Sequence, residues 1–166
     1  MIKNIVLIGM MGAGKSMVAA ALAKKLNRSV LSTDAMIEAS EHKSIKDIFA
    51  QHGEAYFRGR EHNAVKIAAA RQGVIIDCGG GVVLTPENFT LLKKSGTIIF
   101  LNASPEVIIQ RIKGDVNRPL VNVPNPLARI KEIYTQRLPL YNQADIVVDA
   151  NDPSVDAAVV EILTKV

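Results

Sequence analysis

Five short apolar runs punctuate the chain, and most of the sequence between them has helical spacing. The runs are Ile5-Val6-Leu7-Ile8, Val30-Leu31, Val74-Ile75-Ile76, Thr97-Ile98-Ile99-Phe100-Leu101 and Ile146-Val147-Val148. Mostly β-branched and bounded by Gly, Asp or Asn, they predict buried strands, with Val30-Leu31 the shortest. Residues 17–26 predict a packed helix, and residues 54–70 a second one that opens after Gly53. Pro86, and Pro105 after Ser104, each suit the first position of a helix, and a last helix follows Pro153. Pro139 is expected to end a helix that runs up to it. Alternating strand and helix predict one α/β domain over residues 1–166, with three α/β/α layers around a five-stranded parallel sheet. Residues 113–126, KGDVNRPLVNVPNP, break the pattern with three prolines and three asparagines. They predict an irregular segment that serves as a mobile active-site lid.

Composition narrows the function. Apolar residues make up 48% of the 166 positions, aromatics only 4%, and there is no Trp, so Val, Ile, Leu and Ala must fill the core. The net charge is +4 and the pI about 9.3. No Lys/Arg run exceeds two residues, and with so few aromatics for base stacking, small anions fit better than nucleic acid. No apolar stretch is long enough to span a bilayer, and the N-terminus does not read as a secretory signal. The single cysteine, Cys78, cannot form an internal disulfide. A cytoplasmic protein without a membrane partner is expected.

The sharpest chemical signal is Gly9-Met10-Met11-Gly12-Ala13-Gly14-Lys15-Ser16, which fits G-x-x-x-x-G-K-[ST] between a strand and a helix. Such a loop turns backbone N–H groups towards phosphate oxygens, and the following helix N-terminus favours anions. Lys15 can neutralise the β- and γ-phosphates of ATP, and Ser16 can ligate Mg²⁺. Further candidates lie near the ends of other runs. Asp34 can accept a hydrogen bond from a substrate hydroxyl and deprotonate it; the alternative is a helix N-cap. Gly79-Gly80-Gly81 let a substrate approach the main chain and offer N–H donors; the alternative is a flexible turn. Arg58 and Glu61, one helical turn apart, form either a held Arg fork or a surface ion pair, and Arg137 before Leu138-Pro139-Leu140-Tyr141 is equally open to solvent exposure.

Taken together these residues resemble the shikimate kinase family. The resemblance rests on 9–16, Thr33-Asp34 with Ile37-Glu38, Ser44-Ile45 with Ile48-Phe49, Gly53-Glu54 with Phe57-Arg58 and Glu61, the glycines at 79–81, Arg118-Pro119-Leu120, and Arg137 with Pro139-Leu140-Tyr141. It implies a fold like that of the nucleoside monophosphate kinases. It also implies transfer of the ATP γ-phosphoryl group to the 3-hydroxyl of shikimate, giving shikimate 3-phosphate and ADP in aromatic amino-acid biosynthesis. Carried over residue by residue, Asp34 engages the reacting hydroxyl, Arg58 and Arg137 grip the substrate carboxylate, and Gly80 and Gly81 contact the substrate. Arg118 descends with the lid onto the transferring group. Gly12, Ala13, Gly14, Lys15, Ser16 and Met17 hold the nucleotide phosphates, with Arg111 and Pro153 flanking the adenine. A monomer is expected.

One departure stands out. The family usually carries a second acid at the position of Ser32, where it helps hold the Mg²⁺ shell, and a small neutral residue at the position of Asp77. We read Asp77 as taking over that metal-shell role beside Ser16, on the expectation that both strands flank the phosphate loop; the alternative is an Asp bonded to nearby backbone amides. Two other functions remain open to the sequence: another small P-loop kinase such as a gluconate kinase, and a nucleotide-binding regulatory domain without catalysis.

Overall fold

The computed structural model describes residues 2–115 and 122–166; Arg118 and the centre of the expected lid lie outside the described residues. All five apolar runs form strands: β1 (Asn4–Ile8), β2 (Val30–Ser32), β3 (Ile75–Asp77), β4 (Gly96–Asn102) and β5 (Ile146–Asp149). They make one parallel sheet in the order β2-β3-β1-β4-β5. β1 is buried throughout and β4 in its centre, as strands covered on both faces must be. Tyr141 stacks on Phe100 with ring centroids 4.9 Å apart in a mainly aliphatic core.

Among the described residues seven α-helices surround the sheet: α1 (Lys15–Leu26), α2 (Thr33–Glu41), α3 (Ile45–Ala69), α4 (Pro86–Ser95), α5 (Pro105–Ile112), α6 (Pro126–Tyr141) and α7 (Val155–Lys165). Side-chain caps start several of them. Ser44 Oγ accepts from Asp47 N–H at 3.1 Å, Ser104 Oγ from Val107 N–H at 3.3 Å, and Asn125 Oδ1 from Ala128 N–H at 3.2 Å. Pro86, Pro105 and Pro126 occupy first-turn positions. Among the described residues no helix is long and apolar enough to cross a membrane.

Several expectations need correction. Residues 45–52 add a helical segment that was not expected; Gly53, non-helical at φ 81°, separates it from the segment that opens after Gly53 as expected, and glycine adopts this kinked conformation without strain. Pro139 does not end α6, which continues to Tyr141. A proline this close to a C-terminus loses only one intrahelical bond, and Asn142 N–H closes the end by bonding Leu138 O at 2.9 Å. Pro126, expected in the lid, opens α6 instead. β2 and β3 do not both flank the phosphate loop: β3 pairs with β1, and β2 lies one strand further out.

Candidate active site

The phosphate loop runs from the end of β1 into α1. Gly12 and Gly14 have φ values of 74° and 91°, which only glycine adopts cheaply. Helix α1 has no side-chain cap and no acid in its first turn, so nothing competes with an anion for its N–H groups. Lys15 is buried, and its ammonium donates to Gly9 O and Met10 O, both at 2.9 Å, which arches it across the loop. Ser16 Oγ donates to Asp77 Oδ2 at 2.6 Å. The partner of Asp77 is therefore the loop serine, and its register explains why. Asp77 pairs with Leu7 on one side and with Ser32 on the other, so it stands between the phosphate loop and the position that lacks an acid. Ser32 itself caps α2, accepting from Ala35 N–H at 3.2 Å. Asp34 is therefore not the N-cap and lies in the first turn of α2.

A cavity of about 630 Å³ opens over this loop, lined by residues that include Gly12 to Met17, Ser32, Asp77, Arg111 and Pro153. Arg111 extends from α5 and donates to Gly12 O (3.4 Å), Ala13 O (3.3 Å) and Asp152 O (3.0 Å). It thus ties the phosphate loop to the segment carrying Pro153. Cys78 is buried in this wall, and burial holds its thiol well above its ordinary value, which makes it inert.

A second cavity of about 610 Å³ adjoins the first, lined by Ile45, Phe49, Phe57, Arg58, Glu61, Gly79 to Gly81 and Arg137 among others. Its charged groups are interlocked. Arg58 Nη1 donates to Glu61 Oε2 at 2.8 Å, and the Glu61 side chain is 1% exposed; this is a buried fork and not a surface pair. Arg58 also donates to Glu54 Oε1 at 3.2 Å. Arg137 is buried too, at 8%. The Tyr141 hydroxyl donates to Gly80 O at 2.5 Å. Burial raises this phenol against the pull of the Arg137 guanidinium. Gly79 N–H is not a free donor, since Thr33 Oγ1 accepts it at 3.1 Å.

Met11, Asp34, Gly79 and Gly80 line both cavities. At that junction Asp34 Oδ1 and Glu61 Oε1 are buried with no hydrogen-bond partner among the described residues. Burial lifts Asp34 above the ordinary carboxylate value against the attraction of Lys15, and it lifts Glu61 against the attraction of Arg58. A carboxylate so placed is a stronger base than one in water.

The structure thus brings Lys15, Ser16, Asp34, Arg58, Asp77, Gly80, Gly81 and Arg137 to two touching cavities. Sequence reasoning missed the parts played by Thr33, Gly79 and Tyr141. Tyr141 had a signal: it follows Arg137 by one helical turn and so shares its face.

The family model for shikimate kinase matches residues 11–166 of this chain. The shikimate kinase of Thermodesulfovibrio yellowstonii is 46% identical over 147 residues, covering 89% of this chain and 85% of that protein. The shikimate kinase of a Sulfurihydrogenibium species is 38% identical over 164 residues, covering 99% of this chain and 98% of its own. Among solved structures, shikimate kinase from Acinetobacter baumannii in complex with shikimate superposes with a TM-score of 0.95 at 34% identity, covering 98% of this chain and 92% of that one. A gluconokinase from Sinorhizobium meliloti, at 19% identity and a TM-score of 0.56, shares the fold alone.

Proposed function

The chain belongs to the shikimate kinase family and is a kinase that uses ATP, and we propose that it transfers the γ-phosphoryl group to the 3-hydroxyl of shikimate. The observation that carries this reading is the shared wall. Asp34 faces a phosphate-loop cavity on one side and an arginine-lined cavity on the other. The acceptor hydroxyl oxygen bonds the γ-phosphorus as the bond to the β–γ bridging oxygen breaks, the hydroxyl proton passes to Asp34, and ADP leaves. Arg58 and Arg137 match a carboxylate with paired N–H donors, and the buried Glu61 fixes the plane of the Arg58 fork. Gly80 and Gly81 form the floor under the acceptor. Lys15, with backbone N–H groups from Gly12 to Met17, neutralises the phosphates, Arg111 and Pro153 flank the adenine, and Arg118 stabilises the transferring group.

Mg²⁺ fits the residues present. A loop hydroxyl and a carboxylate touch at the head of the phosphate cavity, and hard oxygen donors of this kind, completed by nucleotide phosphates, suit this ion. Ser16 and Asp77 would hold it. No group of three or more His, Cys, Asp or Glu among the described residues makes a cage that would bind a metal without the nucleotide. When bound, the ion supplies positive charge to the β- and γ-oxygens. We read residues 1–166 as one domain that works as a monomer, in the reducing cytoplasm that its single cysteine suits.

An ADP-release assay with shikimate, gluconate, AMP and CMP at varied Mg²⁺ tests the reading. Turnover with shikimate and none with the other three is expected. Turnover with gluconate or a nucleotide in its place, or tight ATP binding with no acceptor consumed, overturns it.

A further inference from the structure

Gly79 and Gly81 lie where charged side chains take up the space of a Cβ, and Gly80 between them lies closest to the phosphate-loop backbone. A Cβ at Gly79 would stand 2.6 Å from Asp34 Oδ1 and 3.2 Å from Glu61 Oε1. At Gly80 it would stand 3.3 Å from the Met11 backbone nitrogen and 3.6 Å from Arg137 Nη1. At Gly81 it would stand 2.6 Å from Arg58 Cζ and closer still to both terminal nitrogens. None of the three has positive φ, so the backbone conformation admits any residue and only the space demands glycine.

The segment is also pinned on every side. Thr33 holds Gly79 N–H, Tyr141 holds Gly80 O, and Val82 and Leu84 N–H groups bond Gly79 O and Gly81 O at 3.1 and 3.0 Å. A methyl group added here meets a fixed main chain behind it and the movable end of a side chain in front. The side chain is what gives way.

We infer that the glycine triplet is a seat that positions the reacting groups: Gly79 lets Asp34 lie against the main chain beside Glu61, and Gly81 lets the Arg58 guanidinium lie flat over it. Gly79 and Gly81 are positioning residues, acting through Asp34 and Arg58. This deepens the proposed function and rests on the roles given there to those two side chains. It differs from the simpler view that the glycines only clear a path for the substrate, and the two views part in double mutants.

Under the seat, Gly81→Ala raises the shikimate KM roughly tenfold with kcat and ADP affinity near wild type, and Gly79→Ala lowers kcat roughly tenfold with ADP affinity kept. In an Arg58→Ala background, Gly81→Ala then changes the shikimate KM by less than about twofold, because the group it displaces is gone. A full tenfold effect in that background overturns the seat and favours substrate clearance. Thermal unfolding gives a second reading that needs no substrate. Gly79→Ala lowers Tm in the wild type and lowers it less in Asp34→Ala; equal drops in both backgrounds also overturn the seat. If the wild type fails to phosphorylate shikimate while the stability pairs still couple, the function falls and the seat stands.

Discussion

The two cavities are built on opposite principles. Around the phosphate loop, charged side chains are tied to neighbours within the chain: Lys15 to two carbonyls, Ser16 to Asp77, Arg111 to three carbonyls. Beside Lys15 the binding groups are backbone N–H groups at a helix start, whose position is fixed by β1 and α1. Around the acceptor, the working groups are side chains buried against one another, and two carboxylate oxygens there have no hydrogen-bond partner among the described residues. Backbone gives a site that any nucleotide triphosphate can use, whereas side chains give selection for one acid-bearing polyol. The second design carries a burden, because desolvated charge destabilises the fold until a ligand meets it.

The heaviest test of this contrast is Asp34→Asn. It keeps shape and polarity but cannot accept the hydroxyl proton. We expect kcat to fall about 10²- to 10⁴-fold, the range for a lost general base, with ADP affinity unchanged by calorimetry. A variant that keeps wild-type kcat removes Asp34 from the chemistry and leaves the junction of the cavities as geometry only.

Next in size are Arg58→Ala and Arg137→Ala. Each removes a charge-assisted pair with the acceptor carboxylate, so the shikimate KM should rise about 10- to 100-fold, while ADP binding stays near normal. If both variants lose ADP and keep shikimate, the cavities have been assigned the wrong way round.

How much of this was legible in the sequence follows the same divide. The phosphate loop was legible because a backbone site needs glycines and a lysine at fixed spacing, and the strands because β-branched runs have no other home in a chain with so few aromatics. Helix α2 and the first half of α3 were not, since α2 buries only Thr33 and Ile37 and its helical stripe is too thin to see. Glu61 reads locally as half of a surface pair. Its burial follows from Phe57 four residues before it and Ala64, Val65 and Ala68 after it, which place it on the apolar stripe of α3. The link from Tyr141 to Gly80 spans 61 positions, and the demand for glycine at 79 comes from Asp34, 45 positions away. Contacts of that range leave no periodic trace.

A smaller effect separates Asp77 from Ser32. Asp77→Ser should weaken Mg²⁺-dependent ADP binding about tenfold, measured by titrating ADP at fixed protein with and without Mg²⁺, and leave Mg²⁺-free ADP binding alone. Ser32→Asp in that background should recover part of the loss, since residues 32 and 77 pair across neighbouring strands. An unchanged Mg²⁺ requirement in Asp77→Ser would mean that the carboxylate only steadies the Ser16 hydroxyl.

The smallest effect is on stability. Burial, opposed by Lys15, leaves Asp34 with a higher pKa folded than unfolded. A carboxyl of this kind binds its proton more tightly in the native state. Its favourable contribution is therefore complete below the unfolded value of about 3.9 and is lost as pH rises through the folded value. At neutral pH the ionised group thus counts against the fold. Asp34→Asn removes that charge and should raise stability by about 1 kcal/mol at pH 7 to 8, with the gain fading towards pH 4. Urea denaturation across that range measures it. Glu61→Gln is the contrast. Glu61 is lifted by burial as well, but Arg58 opposes the lift and is bonded to it, so the gain from removing its charge is offset by a weakened ion pair and should be smaller than that of Asp34→Asn or reversed. A gain for Asp34→Asn that stays constant from pH 4 to pH 8 would trace it to packing and not to charge, and the acceptor side would then hold its base without the energetic tension that sets it apart from the phosphate loop.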